Sequence, residues 1–318
     1  MPHTTKPKLI VLIGPTAVGK TRTSIQLAKT FDAEIISGDS MQIYKGMDIG
    51  TAKITEEEME GIPHHLIDIK DPHESFSAAE FQQLVREKIA EIDSRGKMPM
   101  IVGGTGLYIQ SVIFDYQFTD APGDPEYRSR LEEKVEEKGI APLFDHLQRV
   151  DPEAAKNIHP NNIRRVIRAL EIFHCTGNTM TGYQQSQSDE LLYDTALIGL
   201  TMDREKLYNR INMRVDLMID EGLIKEVKTL FDLGVRDVQS VQAIGYKEIY
   251  EYLDGSISLD RAIENLKQNS RRYAKRQLTW FRNKMDVTWF DVTDESHQKI
   301  IKEISKFIAG KIELKSNK

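Results

Sequence analysis

Short apolar runs alternate with helical patterns along the N-terminal third of the chain. Apolar positions recur at helical spacing over Thr21–Phe31 and Ser77–Arg95. Strands that alternate with helices in this way predict an α/β fold built on a parallel sheet. The runs that predict its strands are Leu9–Ile13, Glu34–Ser37, His65–Ile67 and Pro99–Val102.

The pattern changes at residues 121–125 (APGDP). From there to Asp194 the chain shows helical periodicity alone, over Asp124–Lys138, Ala141–Val150 and Asn161–Cys175. Thr195–Leu200 then predicts a further core strand, and Val287–Val292 a last one. The helices predicted between and after these strands are Arg204–Glu221, Ile224–Leu233, Ala243–Leu253, Leu259–Asn283 and Glu295–Ala309. We therefore expect residues 1–120 and 195–318 to form one α/β core, interrupted by an all-helical insertion over residues 121–194.

A glycine-rich loop joins the first predicted strand to the first predicted helix. Its sequence, Gly14-Pro15-Thr16-Ala17-Val18-Gly19-Lys20-Thr21, fits the phosphate-binding pattern G-x-x-x-x-G-K-[ST]. In this setting backbone N–H groups converge on an anion, Lys20 supplies a positive charge and the hydroxyl of Thr21 can hold Mg²⁺. The core is thus predicted to be P-loop NTPase-like. The loop does not identify the molecule that carries the phosphate.

Two further segments follow predicted strands. Asp39 fits either a magnesium ligand, a general base or a turn cap. Thr105, within Gly103-Gly104-Thr105-Gly106, fits either a ligand contact or an ordinary strand-to-helix turn. Because the carboxyl ends of parallel strands meet at one edge of a sheet, both segments and the P-loop predict a single ligand crevice.

Basic side chains form two patterns in the predicted helices. Arg210 and Arg214 share one helix face, where they either clamp a diphosphate or pair with nearby acids. The segment Arg271–Lys284 contains basic residues and no acid, and its basic face fits either a polyanion backbone or a solvated surface. That face carries Arg272, Lys275, Arg276, Thr279 and Arg282, and the opposite face carries Tyr273, Gln277, Trp280 and Phe281.

Composition limits the function classes further. The net charge of -6 argues by itself against a nucleic-acid partner, but the local basic segments decide where a polyanion could dock. The single cysteine, Cys175, excludes an internal disulfide framework and a cysteine-based zinc site. Since no segment looks like a signal peptide or a membrane span, we expect a cytoplasmic protein without a membrane partner.

Taken together, these segments resemble the tRNA dimethylallyltransferases. The matches run in family order over nearly the whole chain, and DSMQIYKGMDIGTAK (39–53) and KRQLTWFRN (275–283) are highly specific. The bacterial type fits best, because nothing like the zinc-finger extension of eukaryotic members follows the last predicted helix. The other matches are GPTAVGKT (14–21), PHHLID (63–68), GGTGLY (103–108), HPNNIRRVIRALEIF (159–173) and QAIGYKE (242–248).

The resemblance implies a reaction and its site. Family members move a dimethylallyl group from dimethylallyl diphosphate to the exocyclic N6 amine of the adenosine 3′-adjacent to the anticodon. The resemblance also implies that the P-loop and Arg210 bind the diphosphate and that Asp39 is the general base. It further implies that the helical insertion grips the anticodon stem-loop. A monomer is expected. The implied tRNA contacts are Asp39, Ser40, Met41, Gln42, Thr105, Arg128, Ile163, Arg164, Arg165, Val166, Ile167, Gln242, Gly245, Tyr246, Lys247, Lys275, Arg276, Gln277, Thr279, Trp280 and Arg282.

The chemistry of such a transfer matches the candidate residues. The departing diphosphate needs neutralisation, for which Lys20, Thr21 with magnesium, and Arg214 are candidates. Asp39, with an ordinary pKa of about 4, is ionised at neutral pH and able to accept the proton of the amine. Two alternatives share the P-loop: a small-molecule kinase that uses ATP, and a nucleotide-switched binding module.

Overall fold

The computed structural model describes residues 6–118, 123–185, 187–188 and 190–312. The chain divides into two compact units, of which the first combines Met1–Ile113 with Leu191–Lys318 and the second is Phe114–Glu190. The first unit contains the sheet, and the second contains helices only among its named elements. In the part of the chain that the model describes, no helix is both long and apolar enough to cross a membrane.

One parallel sheet organises the first unit. Its strands are β1 (Lys8–Ile13), β2 (Ala33–Gly38), β3 (His64–His65), β4 (Met98–Gly103), β5 (Asp194–Thr201) and β6 (Thr288–Asp291). They lie in the order β3-β2-β4-β1-β5-β6, and all neighbours pair in parallel. Every residue of β2 is buried, as expected for a strand covered by helices on both faces. The predicted α/β class with a parallel sheet is therefore confirmed.

Helices are numbered along the chain. Those of the first unit are α1 (Lys20–Phe31), α2 (Glu56–Met59), α3 (Ala78–Ser94), α4 (Gly106–Ile113), α10 (Arg204–Asp220), α11 (Leu223–Asp232), α12 (Tyr246–Leu253), α13 (Leu259–Lys284) and α14 (His297–Lys311). Those of the second unit are α5 (Pro125–Lys138), α6 (Ala141–Val150), α7 (Pro152–Asn157), α8 (Ile163–Thr176) and α9 (Met180–Gln185).

Several boundaries differ from the sequence prediction for local reasons. The strand predicted to reach Ile67 stops at His65, because Leu66 has a φ of 61° and leaves the extended region. The helix predicted from Ala243 starts only at Tyr246, since Gly245 has a φ of 101°. The helix predicted from Asn161 starts at Ile163, with the side chain of Asn162 capping the backbone N–H of Arg165.

Each unit has its own apolar core. In the first unit, side chains of β1, β4 and β5 pack against α1, α10 and α14, with Ile10, Ile198 and Ile304 fully buried. In the second unit, α5, α6 and α8 bury a separate cluster around Leu147 and Val166. Because the sheet core fixes β1, β2 and β4, the loops that follow these strands are held by rigid elements.

Candidate active site

Three loops meet at the carboxyl edge of the sheet. β4 lies between β1 and β2, and Gly103 at its end is in register with both Ile13 and Gly38. The P-loop follows Ile13, the segment with Asp39 follows Gly38, and the turn with Thr105 follows Gly103. Strand order and register therefore bring together the three segments that the sequence had suggested.

A cavity of about 320 Å³ opens in the first unit beside these loops. Its wall contains both polar groups of the strand-end loops and side chains of α10 and α13. The predicted site residues that line it are Thr16, Asp39, Ser40, Met41, Arg214, Gln242, Lys247 and Arg276. The other lining residues are Gly50, Thr51, Ala52, Ile211, Val215, Met218, Ala243, Ile244, Leu266, Ser270 and Tyr273.

An apolar stripe on α10 forms part of the wall. Ile211, Val215 and Met218 recur at helical spacing on the face that also carries Arg214. The cavity therefore offers hydrocarbon contacts beside a guanidinium group. Sequence reasoning missed this stripe, because apolar residues at this spacing are equally typical of a helix that packs on a core.

Lys20 is the central cation of the P-loop. Its Nζ donates to the carbonyl oxygens of Gly14 and Pro15, both at 2.9 Å. Burial, together with the charge of Arg214, lowers its pKa to about 8, whereas Asp39 opposes the shift. Burial also lowers the pKa of Arg214 itself. The charge of Lys20 is thus coupled to those of Arg214 and Asp39, which both line the cavity.

Asp39 and Thr105 come from neighbouring strand ends. The Oδ1 atom of Asp39 accepts the backbone N–H of Met41 at 2.8 Å, and the Oγ1 atom of Thr105 accepts that of Ser40 at 3.3 Å. Burial raises the pKa of Asp39, while the Met41 N–H and the charge of Lys20 counteract the rise. A carboxylate with a raised pKa is a better proton acceptor than an exposed one.

Gln277 connects two of the loops from inside the protein. Only 5% exposed, it accepts the backbone N–H of Thr16 at 2.9 Å and donates to the carbonyl oxygen of Gly104 at 3.0 Å. Its amide is therefore used within the protein, and we expect it to position the P-loop and the Thr105 turn. The implied tRNA contact of this side chain does not fit its burial.

The segment Met47–Lys53 forms another part of the wall, and Glu226 of α11 holds it. The Glu226 carboxylate accepts the backbone N–H groups of Asp48, Ile49 and Gly50 at 2.8–3.0 Å. It also accepts the hydroxyl of Tyr246 at 2.6 Å. Sequence reasoning missed Glu226, since its partners lie far away in the chain. The side-chain amide of Gln42 likewise donates to Thr51 and Ala52 carbonyls of this segment.

Gly50 is needed where the wall touches Tyr246. A Cβ at Gly50 would lie 2.5 Å from the tyrosine ring, which is fully buried. We expect Gly50→Ala to lower the free energy of unfolding by about 1–3 kcal/mol, because the ring has no room to move. Urea denaturation measures this. The matched Gly310→Ala change, in α14 with nothing within 4 Å of its Cβ, should not destabilise. Equal effects of the two changes would contradict the close packing.

The outer face of α13 is exposed and basic. Lys275, Arg276, Thr279 and Arg282 are exposed, and within the described part of the chain none of the three cations forms an ion pair with an acid. Trp280 is half-buried, and its ring lies where a Cβ on Gly106 would be 2.2 Å away. The face is therefore a cationic surface, whereas Trp280 packs against the start of α4.

Other predicted residues lie apart from the cavity. Arg210 is exposed and does not line it, so the paired clamp with Arg214 is not formed by the cavity wall. Tyr246 and Gly245 are both buried, so neither residue presents an exposed surface to an RNA.

In the second unit, the implied contacts divide into exposed and buried ones. Ile163, Arg164 and Arg165 are exposed in the first turn of α8, whereas Val166 and Ile167 are packed in the core of the unit. The implied side-chain contacts of Val166 and Ile167 therefore do not fit their burial. Arg128 is 46% exposed and bonds to the buried carboxylate of Glu171 at 2.8 Å, which also binds Arg168.

A magnesium ion at this site would need substrate oxygens among its ligands. Among the described residues there is no group of three His, Cys, Asp or Glu side chains that could hold a metal. Thr21 is exposed in the first turn of α1 and offers a hydroxyl oxygen. Mg²⁺ commonly uses one or two protein ligands together with phosphate oxygens and water, so the residues present are compatible with it.

Comparisons with known proteins identify relatives over the full site. A family model described as IPP transferase matches residues 42–284. A tRNA dimethylallyltransferase of Bacillus licheniformis is 66% identical over 311 residues, covering 98% of this chain and 99% of that protein. A tRNA dimethylallyltransferase of Bacillus cereus is 64% identical over 312 residues, covering 98% of each.

Solved structures agree with these relatives. A full-length tRNA isopentenylpyrophosphate transferase of Bacillus halodurans superposes with a TM-score of 0.75 at 59% identity and covers 97% of each chain. A eukaryotic dimethylallyltransferase acting on tRNA gives a TM-score of 0.80 at 32% identity, covering 97% of this chain and 81% of that one. The resemblance inferred from the sequence motifs is confirmed, and the chain belongs to the IPP transferase family.

Proposed function

We propose that this protein transfers a dimethylallyl group from dimethylallyl diphosphate to the exocyclic N6 amine of the adenosine 3′-adjacent to the anticodon in tRNA. One observation carries the proposal: a single cavity combines the Asp39 carboxylate and the Arg214 guanidinium with an apolar stripe, next to a P-loop. The names of the relatives support prenyl transfer and not the kinase alternative.

The donor fits one part of the cavity. Lys20, Arg214 and the N–H groups at the start of α1 would hold the diphosphate, since a helix N-terminus attracts anions. Magnesium, held by Thr21 and diphosphate oxygens, would supply further neutralisation of the leaving group. Ile211, Val215 and Met218 would contact the dimethylallyl group and keep water from its allylic carbon.

The acceptor amine would lie beside Asp39 and Thr105. A bond forms between N6 and the allylic carbon of the donor, while the bond from that carbon to the diphosphate oxygen breaks. The diphosphate leaves with the electron pair of the broken bond. The surplus proton of N6 passes to the Asp39 carboxylate, whose raised pKa suits this role. The adenine base must be extruded from its stack to reach such a site, at a cost of a few kcal/mol.

RNA binding is assigned to basic surfaces of both units. The exposed face of α13 with Lys275, Arg276 and Arg282 lacks acidic partners and suits a phosphate backbone. Arg164 and Arg165 of α8 would contribute contacts from the helical unit, which would grip the anticodon stem-loop. A tRNA substrate would place the reaction in the cytoplasm, and we expect the enzyme to act as a monomer.

Removal of two cations should reveal the RNA-binding face. We expect Lys275→Ala with Arg276→Ala to weaken tRNA binding and to reduce the slope of log K against log salt by about 1–2, because fewer counterions are released. Filter binding over a salt series measures the slope. The matched double change Lys302→Ala with Lys306→Ala, on exposed positions of α14, should leave it unaltered. A slope equal to that of the unmodified protein would show that the α13 face is merely solvated.

The test of the function is transfer of a radiolabelled dimethylallyl group to unmodified tRNA, with magnesium and without ATP. Label on the N6 amine of the adenosine would establish donor, acceptor and reaction together. Absence of label in tRNA, combined with ATP consumption in the presence of a small-molecule acceptor, would contradict the proposal and favour a kinase.

A further inference from the structure

The wall segment Met47–Lys53 brings backbone polar groups to the cavity. Three of its residues, Gly50, Thr51 and Ala52, line the cavity together with Asp39. Their peptide N–H and carbonyl groups therefore lie close to the place where the dimethylallyl group would react. A peptide group without a partner in the protein binds water instead, and water is the competing nucleophile in this reaction.

Glu226 takes up the N–H groups in the first part of this segment. Its Oε2 atom accepts those of Asp48 at 2.9 Å and Ile49 at 2.8 Å, and its Oε1 atom accepts that of Gly50 at 3.0 Å. The hydroxyl of Tyr246 donates to the same Oε1 atom at 2.6 Å. Four donors thus converge on one carboxylate, which has about four acceptor positions. These positions are therefore filled from within the protein.

Gln42 takes up carbonyl groups farther along the segment. Its Nε2 atom donates to the carbonyl oxygens of Thr51 at 3.3 Å and Ala52 at 3.2 Å. The backbone N–H of Ala52 donates to the carbonyl oxygen of Ile49 at 3.0 Å. Two N–H groups of the cavity-lining residues, those of Gly50 and Ala52, thus bind protein atoms, and so do the carbonyl oxygens of Thr51 and Ala52. The peptide groups of the wall are therefore occupied by protein instead of water.

We propose that Glu226 is a positioning residue, which keeps this wall free of bound water and so protects the allylic carbon from hydrolysis. The inference rests on the proposed function. The apolar stripe of Ile211, Val215 and Met218 would exclude water from one part of the cavity, and the wall segment would exclude it from another. Without the Glu226 carboxylate, the N–H groups that it binds would need new acceptors, and water is the acceptor at hand.

The competing reaction is hydrolysis of the donor. The oxygen of a water molecule bonds to the allylic carbon, while the bond from that carbon to the diphosphate oxygen breaks. The diphosphate leaves with the electron pair of the broken bond, and the surplus proton of the water passes to bulk solvent. The products are an allylic alcohol and diphosphate. Donor label that appears in the alcohol instead of in tRNA therefore measures how much water reaches the allylic carbon.

The ratio of labelled alcohol to labelled tRNA, measured with saturating tRNA, tests this role. In Glu226→Gln one acceptor oxygen becomes an NH₂ group, which cannot accept the N–H groups that it faces. We expect the ratio to rise about tenfold, because the wall segment loses anchoring and admits water. Tyr246→Phe removes one of the donors to Glu226 and keeps the ring that packs against Gly50. It should raise the ratio in the same direction by a smaller factor.

Two matched controls lie on the same helix, α12. Glu251→Gln makes the same change at an exposed position that does not line the cavity. Tyr250→Phe removes a hydroxyl that donates to the Val235 carbonyl at 2.8 Å, outside the cavity. Both variants should keep the ratio of the unmodified enzyme.

The ratio separates positioning from a loss of stability, because a purely structural defect lowers transfer and hydrolysis together. Slower transfer at an unchanged ratio in Glu226→Gln would overturn the proposal, and so would a rise that Glu251→Gln shares. If Glu226→Gln does not fold, Tyr246→Phe decides, and an unchanged ratio in that variant would overturn the proposal. A raised ratio with unchanged controls supports it. Failure of the unmodified enzyme to transfer label to tRNA would instead overturn the proposed function.

Discussion

Replacement of Asp39 by asparagine is expected to lower the transfer rate by about 10²–10⁴-fold, the usual contribution of a general base. Asparagine keeps the Oδ1 oxygen that accepts the Met41 N–H, so the loop and the affinity for tRNA should change little. What is lost is the ability to take the N6 proton. Single-turnover transfer of labelled dimethylallyl group measures the rate, and filter binding measures the affinity.

The pH dependence of the same reaction gives a second readout. Because burial raises the pKa of Asp39, protonation should remove the base as the pH falls through this raised value, above the usual range of an aspartate. The rate of the unmodified enzyme should therefore fall on the acidic side.

Asp71→Asn is the matched control for Asp39→Asn, since Asp71 accepts the His73 N–H at 3.0 Å in a similar turn outside the cavity. A near-normal rate for Asp39→Asn would contradict the assignment.

Replacement of Lys20 by methionine should lower kcat/KM for the diphosphate by about 10²–10³-fold, because an unneutralised leaving group departs slowly. The pKa of Lys20 is lowered to about 8 in the substrate-free protein. Above that pH the free protein loses the cation, so the KM of the unmodified enzyme for the diphosphate should rise. Initial rates of the Lys20→Met protein and of the unmodified enzyme, taken over a pH series, measure the loss of kcat/KM and the rise of KM.

The control for Lys20 lies on the same helix. Lys29→Met removes an exposed cation of α1 that pairs with Glu60 and should leave kcat/KM unchanged. If Lys20→Met retained the activity of the Lys29→Met protein, the P-loop would not be the diphosphate site. An unchanged KM above pH 8 would instead contradict the role assigned to the Lys20 charge.

Most of the sheet and its helices could be predicted, because their periodicity reflects burial directly. All six predicted strands are present, although β3 overlaps its predicted run only at His65. Helix α4 was not predicted, because Tyr108, Ile109, Val112 and other positions on it are buried. It therefore has no polar face that would make the helical period visible in the sequence. The short helices α2, α7 and α9 extend over too few residues for a period to be visible.

The site was predictable only where chemistry follows a strand. Motif and strand order placed Asp39, Thr105 and Lys20 at one edge, as the structure has them. Sequence alone could not pair Glu226 with the backbone of Gly50, because three-dimensional packing, not local spacing, brings them together. A motif carried over from a family also does not tell which of its residues face the core. In α8, helical geometry buries Val166 and Ile167, whereas Arg164 and Arg165 directly before them are exposed.

Helix α13 has an inner side and an outer side that serve different partners. Tyr273 and Gln277 face the cavity and the loops, whereas Lys275 and Arg282 face outward on the same continuous helix. One inserted residue would rotate everything beyond it by about 100°, since an α-helix has 3.6 residues per turn. The segment between Tyr273 and Arg282 should thus tolerate substitutions on its outer face, in evolution or engineering. Its length should stay invariant, because an inserted or deleted residue would change the direction of the cationic face relative to the reaction centre.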